Sequence, residues 1–466
     1  MSQNTLRQLM ILGIGALFVL MLVIYKKSGV NGWQAVPFGR NVKDVSETAE
    51  AIVRETETAK AGTEADPTRQ EQTAGDGKGE IQVDVQKENP KVRVLICGDD
   101  YQGESHGKVT LQCTTDYTVS YGDVTEEHKA SETVWLTPED EWLEKGAVTL
   151  TPKEKAGLFT WTDLKRSQEN PAYGGKFIIE KTEEGLRVIN EVPLETYLRS
   201  VVPSEMPADY PLEALKAQAI CARTYALKHL AGSREAAQGA DLDDSVSYQV
   251  YNNIGRSRRT DRAVRETRGQ VLTRGGELID ALYYSTSCGL DLSRKLSDEA
   301  VFCAFMTGQE KSCEREEPWY RWSTYFSLEE IGERVQEGRE EAIGAVKEMT
   351  VEERKDSGVI EKLEIRGEGG SLLAEGEYQI RKLLVPKGMP VTLQDGSTAP
   401  DLGMLPSAFF YLTPEYQGEK LAGYTLTGGG YGHGQGLSQN GARHMAEAGY
   451  ACKDILRHYY GAAGQP

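Results

Sequence analysis

Short apolar runs broken by Gly and Asp dominate the chain from residue 91 to residue 181. The segments KVRVLICG (91–98), KVTLQC (108–113) and KFIIEK (176–181) are rich in β-branched residues and are bounded by turn-forming residues. This composition is typical of strands joined by turns. The first part of the folded chain is therefore predicted to be mainly β-sheet.

Helical periodicity appears later, at 211–230 and near 438–459. In the first of these segments, apolar and small residues recur at spacings of three and four, which predicts one buried face. Between the two segments, GQVLT (269–273) and ELIDALYYSTS (277–287) predict further strands. With no internal repeat and no heptad run, the pattern predicts a mixed α+β fold of strands and helices.

The N-terminus carries a different signal. Residues 9–25, LMILGIGALFVLMLVIY, contain no charge and end at Lys26 and Lys27. This is about the minimum length for a transmembrane helix, so residues 1–27 are predicted to be a single membrane anchor. A cleavable signal peptide is the alternative, although no A-x-A-like site follows the apolar run. The two lysines outnumber Arg7, and by the positive-inside rule they favour a cytosolic C-terminal part.

Residues 28–89 form a predicted tether. From residue 41 this stretch is rich in Glu, Thr, Lys, Asp, Gly and Gln and contains hardly any aromatic residue, so it cannot bury enough apolar surface to fold. Residues 90–171 then form a β-rich region, which is either a separate domain or part of the main domain at 172–463. With 466 residues, 39% of them hydrophobic, the chain can hold more than one core. The formal charge of −18 argues against a nucleic-acid partner.

Glu205 is the first candidate for chemistry. It lies between Pro203 and Pro207, just before the helix predicted from Pro211. A carboxylate near a helix N-terminus is electrostatically favoured, so a capping role is the simpler interpretation and catalysis the sharper one. Lys216 and Arg223 are seven residues apart and would stand two turns apart on one helix face, roughly 10 Å from each other.

A glycine-rich stretch contains the second candidate. TGGGYGHGQGLSQNGARHMAEAGY (427–450) surrounds His433 with glycines and leads into a helix that Ser438 could cap. Its spacing is not that of a dinucleotide-binding loop. His433 is either a hydrogen-bonded structural residue or part of a site. One such site would pair it as a base with a nucleophilic Cys288.

The seven cysteines do not contain a C-x-x-C pair, so they are weak evidence for zinc. Cys303 and Cys313 could form a disulfide outside the cytosol, and reduced buried cysteines are the alternative.

Three long segments together resemble the SpoIID/LytB family. They are EVPLETYLRSVVPSEMPADYPLEALKAQAICARTYAL, TRGQVLTRGGELIDALYYSTSCG and GGGYGHGQGLSQNGARHMAEAGYACKDILRHYYG, and they occur in the family's order. The intervening LPSAFF also resembles a family segment, and the likeness spans about residues 172–463. The resemblance implies a SpoIID-like domain of mixed strands and helices behind an N-terminal transmembrane helix.

The resemblance further implies a lytic transglycosylase that cleaves the MurNAc–GlcNAc bond of peptidoglycan strands lacking stem peptides and leaves a 1,6-anhydro end. The family's catalytic glutamate lies in its EMP motif, which is Glu205-Met206-Pro207 here. Substrate-binding positions carried over by the resemblance are Lys216, Arg223, Tyr284, Ser285, His433 and Gln439. A non-catalytic cell-wall module that enhances an amidase, and a Cys/His amidase, remain the alternatives.

The chain departs from the family at several positions. Tyr284 and Cys288 stand where many relatives read YHSTSGG, so any role of that histidine is lost or replaced. The segment DLDDSVSYQVY (241–251) lacks the His and Cys residues with which some relatives could hold zinc. We therefore expect no metal and no cofactor. By resemblance, the expected partners are the sporulation amidase SpoIIP and the membrane protein SpoIIM, with residues 28–466 outside the cytoplasm of a sporulating cell.

Overall fold

The computed structural model describes most of the chain after the predicted tether, namely residues 81–232, 239–289, 295–308, 312–337, 339, 342–399 and 402–461. The predicted membrane anchor and most of the predicted tether lie outside these ranges. Among the described residues, no helix combines the length and the apolar character that crossing a bilayer requires.

From residue 81 to the first helix, the described chain consists of strands and two short 3₁₀ turns, at Asp99–Tyr101 and Glu141–Lys145. The strands are β1 (Ile81–Val85), β2 (Lys91–Leu95), β3 (Val109–Cys113), β4 (Tyr117–Tyr121), β5 (Val124–His128), β6 (Thr133–Leu136), β7 (Val148–Pro152), β8 (Leu158–Trp161), β9 (Ala172–Gly174), β10 (Lys176–Thr182) and β11 (Gly185–Pro193). The strands predicted at 91–98, 108–113 and 176–181 are confirmed.

Helices and short strands alternate next. They are α1 (Leu194–Glu205), α2 (Leu212–Gly232), β12 (Leu242–Asp243), α3 (Arg258–Glu266), β13 (Gln270–Arg274), β14 (Glu277–Leu278) and β15 (Tyr283–Tyr284). The helix predicted at 211–230 is confirmed. The strand predicted over 277–287 is reduced to the two-residue strands β14 and β15.

The remaining elements include a third 3₁₀ turn at Pro318–Tyr320. They are α4 (Glu299–Thr307), β16 (Trp322–Ser327), α5 (Leu328–Gln336), β17 (Val346–Arg354), β18 (Ile360–Gly367), β19 (Ser371–Glu375), α6 (Glu377–Leu383), β20 (Val391–Leu393), β21 (Thr398–Ala399), β22 (Phe410–Gln417), β23 (Lys420–Gly428), β24 (Leu437–Ser438), α7 (Gln439–Glu447) and α8 (Cys452–Tyr460). The last two replace the continuous helical segment predicted at 438–459. Gly449, with φ +91°, separates them because the backbone there leaves the right-handed helical region.

The β-rich region at 90–171 shares one core with the main domain. Its strands β2, β4, β5 and β7 belong to a seven-stranded sheet in the order β12-β2-β11-β10-β7-β4-β5. One hydrophobic cluster runs from Val92 to Tyr460 and includes residues of α1 and α2. The region is therefore part of the main domain. The tether boundary predicted at residue 89 is wrong, because β1 already pairs antiparallel with β13.

Helix α2 lies at the centre of this core. Its small residues allow close packing on every side, and Ala214, Ala217, Ala222 and Ala226 have no exposed surface. The polar side chain of Gln218 is buried as well. The sequence predicted one buried face for this helix, but neighbouring elements cover it on nearly all sides.

Residues 295–428 form an inserted module. Its five-stranded sheet has the order β21-β20-β16-β23-β22, a three-stranded sheet has the order β17-β18-β19, and both contribute to a separate hydrophobic cluster. The chain leaves the main domain after β15 and returns at β24. These two short strands pair with each other in parallel, Tyr283 with Leu437 and Tyr284 with Ser438. The β15–β24 pair is therefore the joint between the module and the main domain.

Candidate functional site

Glu205 is the last residue of α1, so its position differs from the expected one at the start of the next helix. Pro203 lies in the last turn of α1, and the buried Met206 ends the helix. The Glu205 side chain is half-buried. Its carboxylate Oε1 accepts a hydrogen bond of 2.6 Å from the backbone amide of Val250.

Burial raises the pKa of the Glu205 carboxyl from its usual 4.5 to about 7, and hydrogen bonding to the Val250 amide and the Tyr283 hydroxyl offsets only part of that rise. Glu205 forms no ion pair with any described residue that would restore a low value. The C-terminal end of a helix also disfavours negative charge. The carboxyl can therefore hold or release a proton near neutral pH, as a general acid and base must.

The loop after β12 delivers the Val250 amide. Ser204, next to Glu205, accepts hydrogen bonds on its Oγ from the amides of Asn253 (3.0 Å) and Ile254 (3.2 Å). Asn252 adopts a positive φ of 63°, an unusual conformation that asparagine tolerates better than most residues. The loop is thus fastened to the end of α1 on the C-terminal side of Val250.

The base of the same loop is held by a buried ion pair. Arg166 donates to Asp244 at 2.6 Å, and neither side chain has exposed surface. Asp244 also accepts the Cys97 amide at 2.9 Å. The β-rich region at 90–171 thereby supports the loop that contacts Glu205.

A buried polar chain also leads to Glu205. The Tyr197 hydroxyl donates to Gln249 Oε1 (3.2 Å), and Gln249 Nε2 donates to the Tyr283 hydroxyl oxygen (3.0 Å). The Tyr283 hydroxyl in turn lies close enough to the Glu205 carboxyl group to lower its pKa. Because Gln249 fixes the phenol as an acceptor, the phenol proton is free to point at Glu205. Tyr283, Gln249 and the Val250 amide were not predicted as site groups.

Gln439, which the resemblance implies to be a substrate-binding residue, lies beside Glu205. It follows β24 directly, and its Nε2 donates to the backbone carbonyl of Glu205 at 3.0 Å. A longer contact of 3.4 Å joins it to Gln218 on α2. Gln439 therefore fastens the first turn of α7 to the end of α1, and its contact is with the Glu205 main chain.

Tyr284, Ser285 and His433 lie at the joint beside Tyr283. His433 Nε2 is 3.0 Å from the Tyr283 carbonyl, and its Nδ1 accepts the Gln435 amide at 3.1 Å. Burial lowers the pKa of His433, so the ring is neutral and acts here as a structural bridge. Tyr284 is buried against the His433 ring, with centroids 5.6 Å apart. The half-buried Ser285 accepts the Asn440 amide on its carbonyl at 3.0 Å.

Arg223 does not fit the substrate-binding role expected for it. Its side chain is 1% exposed and forms two hydrogen bonds to Glu195, of 2.7 and 3.0 Å. It also donates to backbone carbonyls, among them that of Gln270. Arg223 thus ties α2 to the start of α1.

Lys216 is occupied by two carboxylates. Its Nζ lies 2.8 Å from Glu213 and 2.9 Å from Glu266, which links α2 to α3. The side chain is 20% exposed. These ion pairs account for its charge within the protein, and glycan binding would have to compete with both.

Cys288 has the wrong environment for a nucleophile. Its side chain is 1% exposed, and burial raises the pKa of the thiol to about 12. The two ring nitrogens of His433 are engaged elsewhere. All seven cysteines are free, so Cys303 and Cys313 do not form the disulfide that was one of two alternatives. Among the described residues, no group of three or more His, Cys, Asp or Glu is arranged to hold a metal ion.

Two family models match this chain. Residues 182–274, which include Glu205, match the model described as SpoIID: Stage II sporulation protein, and residues 277–436 match a model described as a domain of unknown function. The second match contains the whole of the inserted module.

Curated relatives point the same way. The amidase enhancer of Bacillus subtilis (strain 168) is 28% identical over 294 residues, which cover 56% of this chain but only 39% of that protein. Stage II sporulation protein D of Bacillus amyloliquefaciens is 26% identical over 289 residues, covering 58% of this chain and 74% of the relative. Its counterpart in Bacillus subtilis (strain 168) is 27% identical over the same lengths and shares. The family assignment predicted from the sequence is confirmed.

Proposed function

We propose that this member of the SpoIID family is a membrane-anchored lytic transglycosylase that cleaves peptidoglycan glycan strands. The observation that carries the proposal is the state of Glu205, a half-buried carboxyl whose pKa is raised to about 7 and which forms no ion pair within the described chain. Such a group can be protonated when substrate arrives and ionised after the first proton transfer.

One carboxyl is sufficient for this reaction. Glu205 donates its proton to the glycosidic oxygen while the bond from C1 of N-acetylmuramic acid to that oxygen breaks. The resulting carboxylate then takes the proton from the C6 hydroxyl of the same sugar, and O6 forms the new bond to C1. The product is a 1,6-anhydro end, no water is consumed, and Glu205 regains its proton. A hydrolase would instead require a second carboxyl group.

The surrounding groups serve the two states of Glu205. The Val250 amide and the Tyr283 hydroxyl both donate, so they favour the carboxylate that forms after the first step. Gln439 holds the Glu205 main chain from α7. Ser285 and Tyr284 remain the proposed substrate contacts from the joint.

The proposed setting is a cell membrane, crossed once by residues 9–25, with the C-terminal part outside the cytoplasm, as in spore engulfment. SpoIIP and SpoIIM are the proposed partners, from the family resemblance alone. Protease added to intact protoplasts should digest residues 28–466. Survival of this part until the membrane is opened would contradict both the orientation and the substrate.

The amidase enhancer among the relatives favours a second candidate function, a cell-wall module that stimulates an amidase without cutting glycan. Incubation of the protein with peptide-free glycan strands, followed by quantification of anhydro-muramic ends, separates the two functions. A transglycosylase produces these ends in proportion to time and loses them in Glu205→Gln. An enhancer produces none, and it accelerates stem-peptide release only when an amidase is added.

A further inference from the structure

A second glutamate, Glu314 of the inserted module, is buried in the main domain. It is 3% exposed and lies just before the 3₁₀ turn Pro318–Tyr320. Its Oε1 accepts the Ser287 amide at 2.9 Å and the Ser438 hydroxyl. The Gly441 amide donates to Ser438 Oγ at 3.3 Å and lies close enough to Glu314 to favour its ionised form. Two donors thus converge on one carboxyl oxygen, an arrangement that suits the carboxylate.

These donors lie on both sides of the joint. Ser287 follows β15, whereas Ser438 ends β24 and Gly441 is in the first turn of α7. The position of Gly441 also depends on Glu314: a side chain there would come within 2.9 Å of Glu314 Oε2 and would collide with the Tyr459 hydroxyl. Glu314 therefore holds β15, β24 and α7 together beside Gly441, where no larger residue fits. We call this arrangement the clamp.

The clamped elements are those that hold Glu205. Tyr283 lies in β15 and hydrogen-bonds the Glu205 carboxylate, and Gln439 follows β24 and binds the Glu205 carbonyl. Asn440, the next residue, donates from its amide to the Ser285 carbonyl at 3.0 Å and from its side chain to Thr286 Oγ1 at 2.9 Å. A shift of the first turn of α7 relative to β15 would therefore disturb the contacts that Tyr283 and Gln439 make with Glu205.

We propose that ionised Glu314 is a positioning residue that holds the β15–β24 joint and α7 so that Tyr283 and Gln439 keep their contacts with Glu205. Its protonation loosens this joint. The expected effect on activity rests on the proposed function. That function requires Glu205 to be protonated when substrate binds, whereas Glu314 must be ionised.

Protonation of Glu314 has a defined cost in hydrogen bonds. A protonated carboxyl, like a glutamine amide, presents a donor. On the Oε1 side this donor would face the Ser287 amide and the Ser438 hydroxyl, and on the Oε2 side it would face Gly441, whose amide is also a donor. Ser438 has a poor alternative acceptor, the Ser285 carbonyl at 3.5 Å. Burial raises the pKa of Glu314 to about 7, and its donors offset part of this rise.

The other ionisable groups around Glu314 do not explain a titration near neutrality. Burial raises the pKa values of Tyr284, Tyr459, Cys288 and Cys313, so these groups stay uncharged there. Glu317, on the same segment, is paired with Arg443 and His444 on α7. His444 also contacts Glu447.

The activity test measures kcat/KM for anhydro-end formation against pH with the full chain. The parent protein should show a bell-shaped dependence of kcat/KM on pH. Activity falls at high pH because Glu205 ionises, and at low pH because Glu314 is protonated. Glu314→Gln should lower the maximum by roughly 10- to 100-fold, the range expected for a small misplacement of a catalytic group, and should abolish the acid limb. Ser438→Ala keeps Glu314 but removes a donor to its carboxylate, so the acid limb should move to higher pH.

Glu316→Gln is the matched control, because Glu316 is an exposed residue of the same segment. It should keep the parent profile. An acid limb that persists unchanged in Glu314→Gln would overturn the proposal.

A second measurement requires no substrate. The hydrogen-exchange protection factor of the Gly441 amide should fall in the parent as pH decreases through the range around 7, and it should be low at all pH values in Glu314→Gln. If this pattern appears but the parent makes no anhydro ends, the clamp stands and the proposed function fails. Protection that is independent of pH in the parent would refute the clamp whether or not the enzyme cleaves glycan.

Discussion

The two ends of α1 each carry a glutamate, and the two carboxyl groups have opposite electrostatic surroundings. Glu195, in the first turn, accepts two hydrogen bonds from Arg223 and a third from the Gly269 amide. Glu205, the last residue, accepts the Val250 amide and lies beside the Tyr283 hydroxyl, and no cation among the described residues pairs with it. The helix dipole favours charge at the first position and disfavours it at the second.

The contrast separates a structural carboxylate from a chemical one. Glu195 is paired with the Arg223 guanidinium and links α1 to α2, which is a structural role. Glu205 has partners too weak to offset its burial, which leaves both protonation states accessible near pH 7. The absence of a cation is therefore the informative feature of Glu205.

Glu205→Gln should give the largest effect on catalysis. The amide keeps the size of the side chain but cannot transfer a proton, so formation of anhydro ends should fall by roughly 10²- to 10⁴-fold. Glu195→Gln, the matched change at the other end of the helix, should retain far more activity in the folded protein. Parent-level activity in Glu205→Gln would refute the mechanism.

The same variant should not lose stability. Because the folded-state pKa of Glu205 lies above its ordinary value, this group makes the fold less stable as pH rises from 4.5 through about 7. Removal of the charge should leave Tm unchanged at pH 5 and equal or higher at pH 8. A clear decrease in Tm at pH 8 would favour the capping role that the sequence also allowed.

Arg223→Met should give the largest effect on stability. It leaves Glu195 without its cation at a site where the Arg223 side chain is 1% exposed, and breaking a buried pair costs about 3 to 5 kcal/mol. Denaturant unfolding measures this loss. The double variant Glu195→Gln/Arg223→Met should lose less, because no buried charge is left unpaired. Activity of folded Arg223→Met should exceed that of Glu205→Gln.

Much of the fold could be predicted from the sequence, because the strong local patterns agree with the packing. The β-branched runs at 91–98 and 176–181 became strands, and the periodic segment after Pro211 became α2. One boundary failed because it depends on a distant partner: residues 81–85 were assigned to the tether, but they form β1 by pairing with β13, far along the chain. The sequence left open whether residues 90–171 belong to the main domain, because their strands complete a sheet whose other strands come later in the chain.

Residues of the candidate site could be predicted only where they lie in a recognisable family motif. Glu205 and Gln439 came from the family resemblance, and the structure brings them together. Tyr283 and Gln249 have no local signal beyond lying in the family-like YYSTSCG and Q-x-Y segments. The Val250 contact uses a backbone amide, which no residue type can reveal. Arg223 was misplaced because spacing along a helix does not show which neighbour covers that face.

Tyr283→Phe tests the Tyr283 hydroxyl, which lowers the pKa of Glu205 less than the Val250 amide does. Loss of the hydroxyl removes a donor that favours the carboxylate, so the pKa of Glu205 should rise further. A hydrogen bond to a charged group corresponds to roughly one pKa unit or slightly more, so the high-pH limb of kcat/KM should move up by about that amount. Tyr284→Phe, whose ring contacts His433, should leave this limb in place. An unchanged limb in Tyr283→Phe would remove Tyr283 from the site.

Lys216→Met should give the smallest effect and sharpens the contrast within α2. Lys216 and Arg223 stand two turns apart on one helix and were both expected to bind substrate, but Lys216 is 20% exposed and its partners Glu213 and Glu266 are more exposed still. Ion pairs of this kind contribute at most about 1 kcal/mol, and salt screens them. Unfolding in low and high salt should therefore show a small loss that shrinks as salt is added, with kcat/KM close to the parent value. A large increase in KM at unchanged stability would instead mean that Lys216 leaves its carboxylates to bind glycan, as the family resemblance implied.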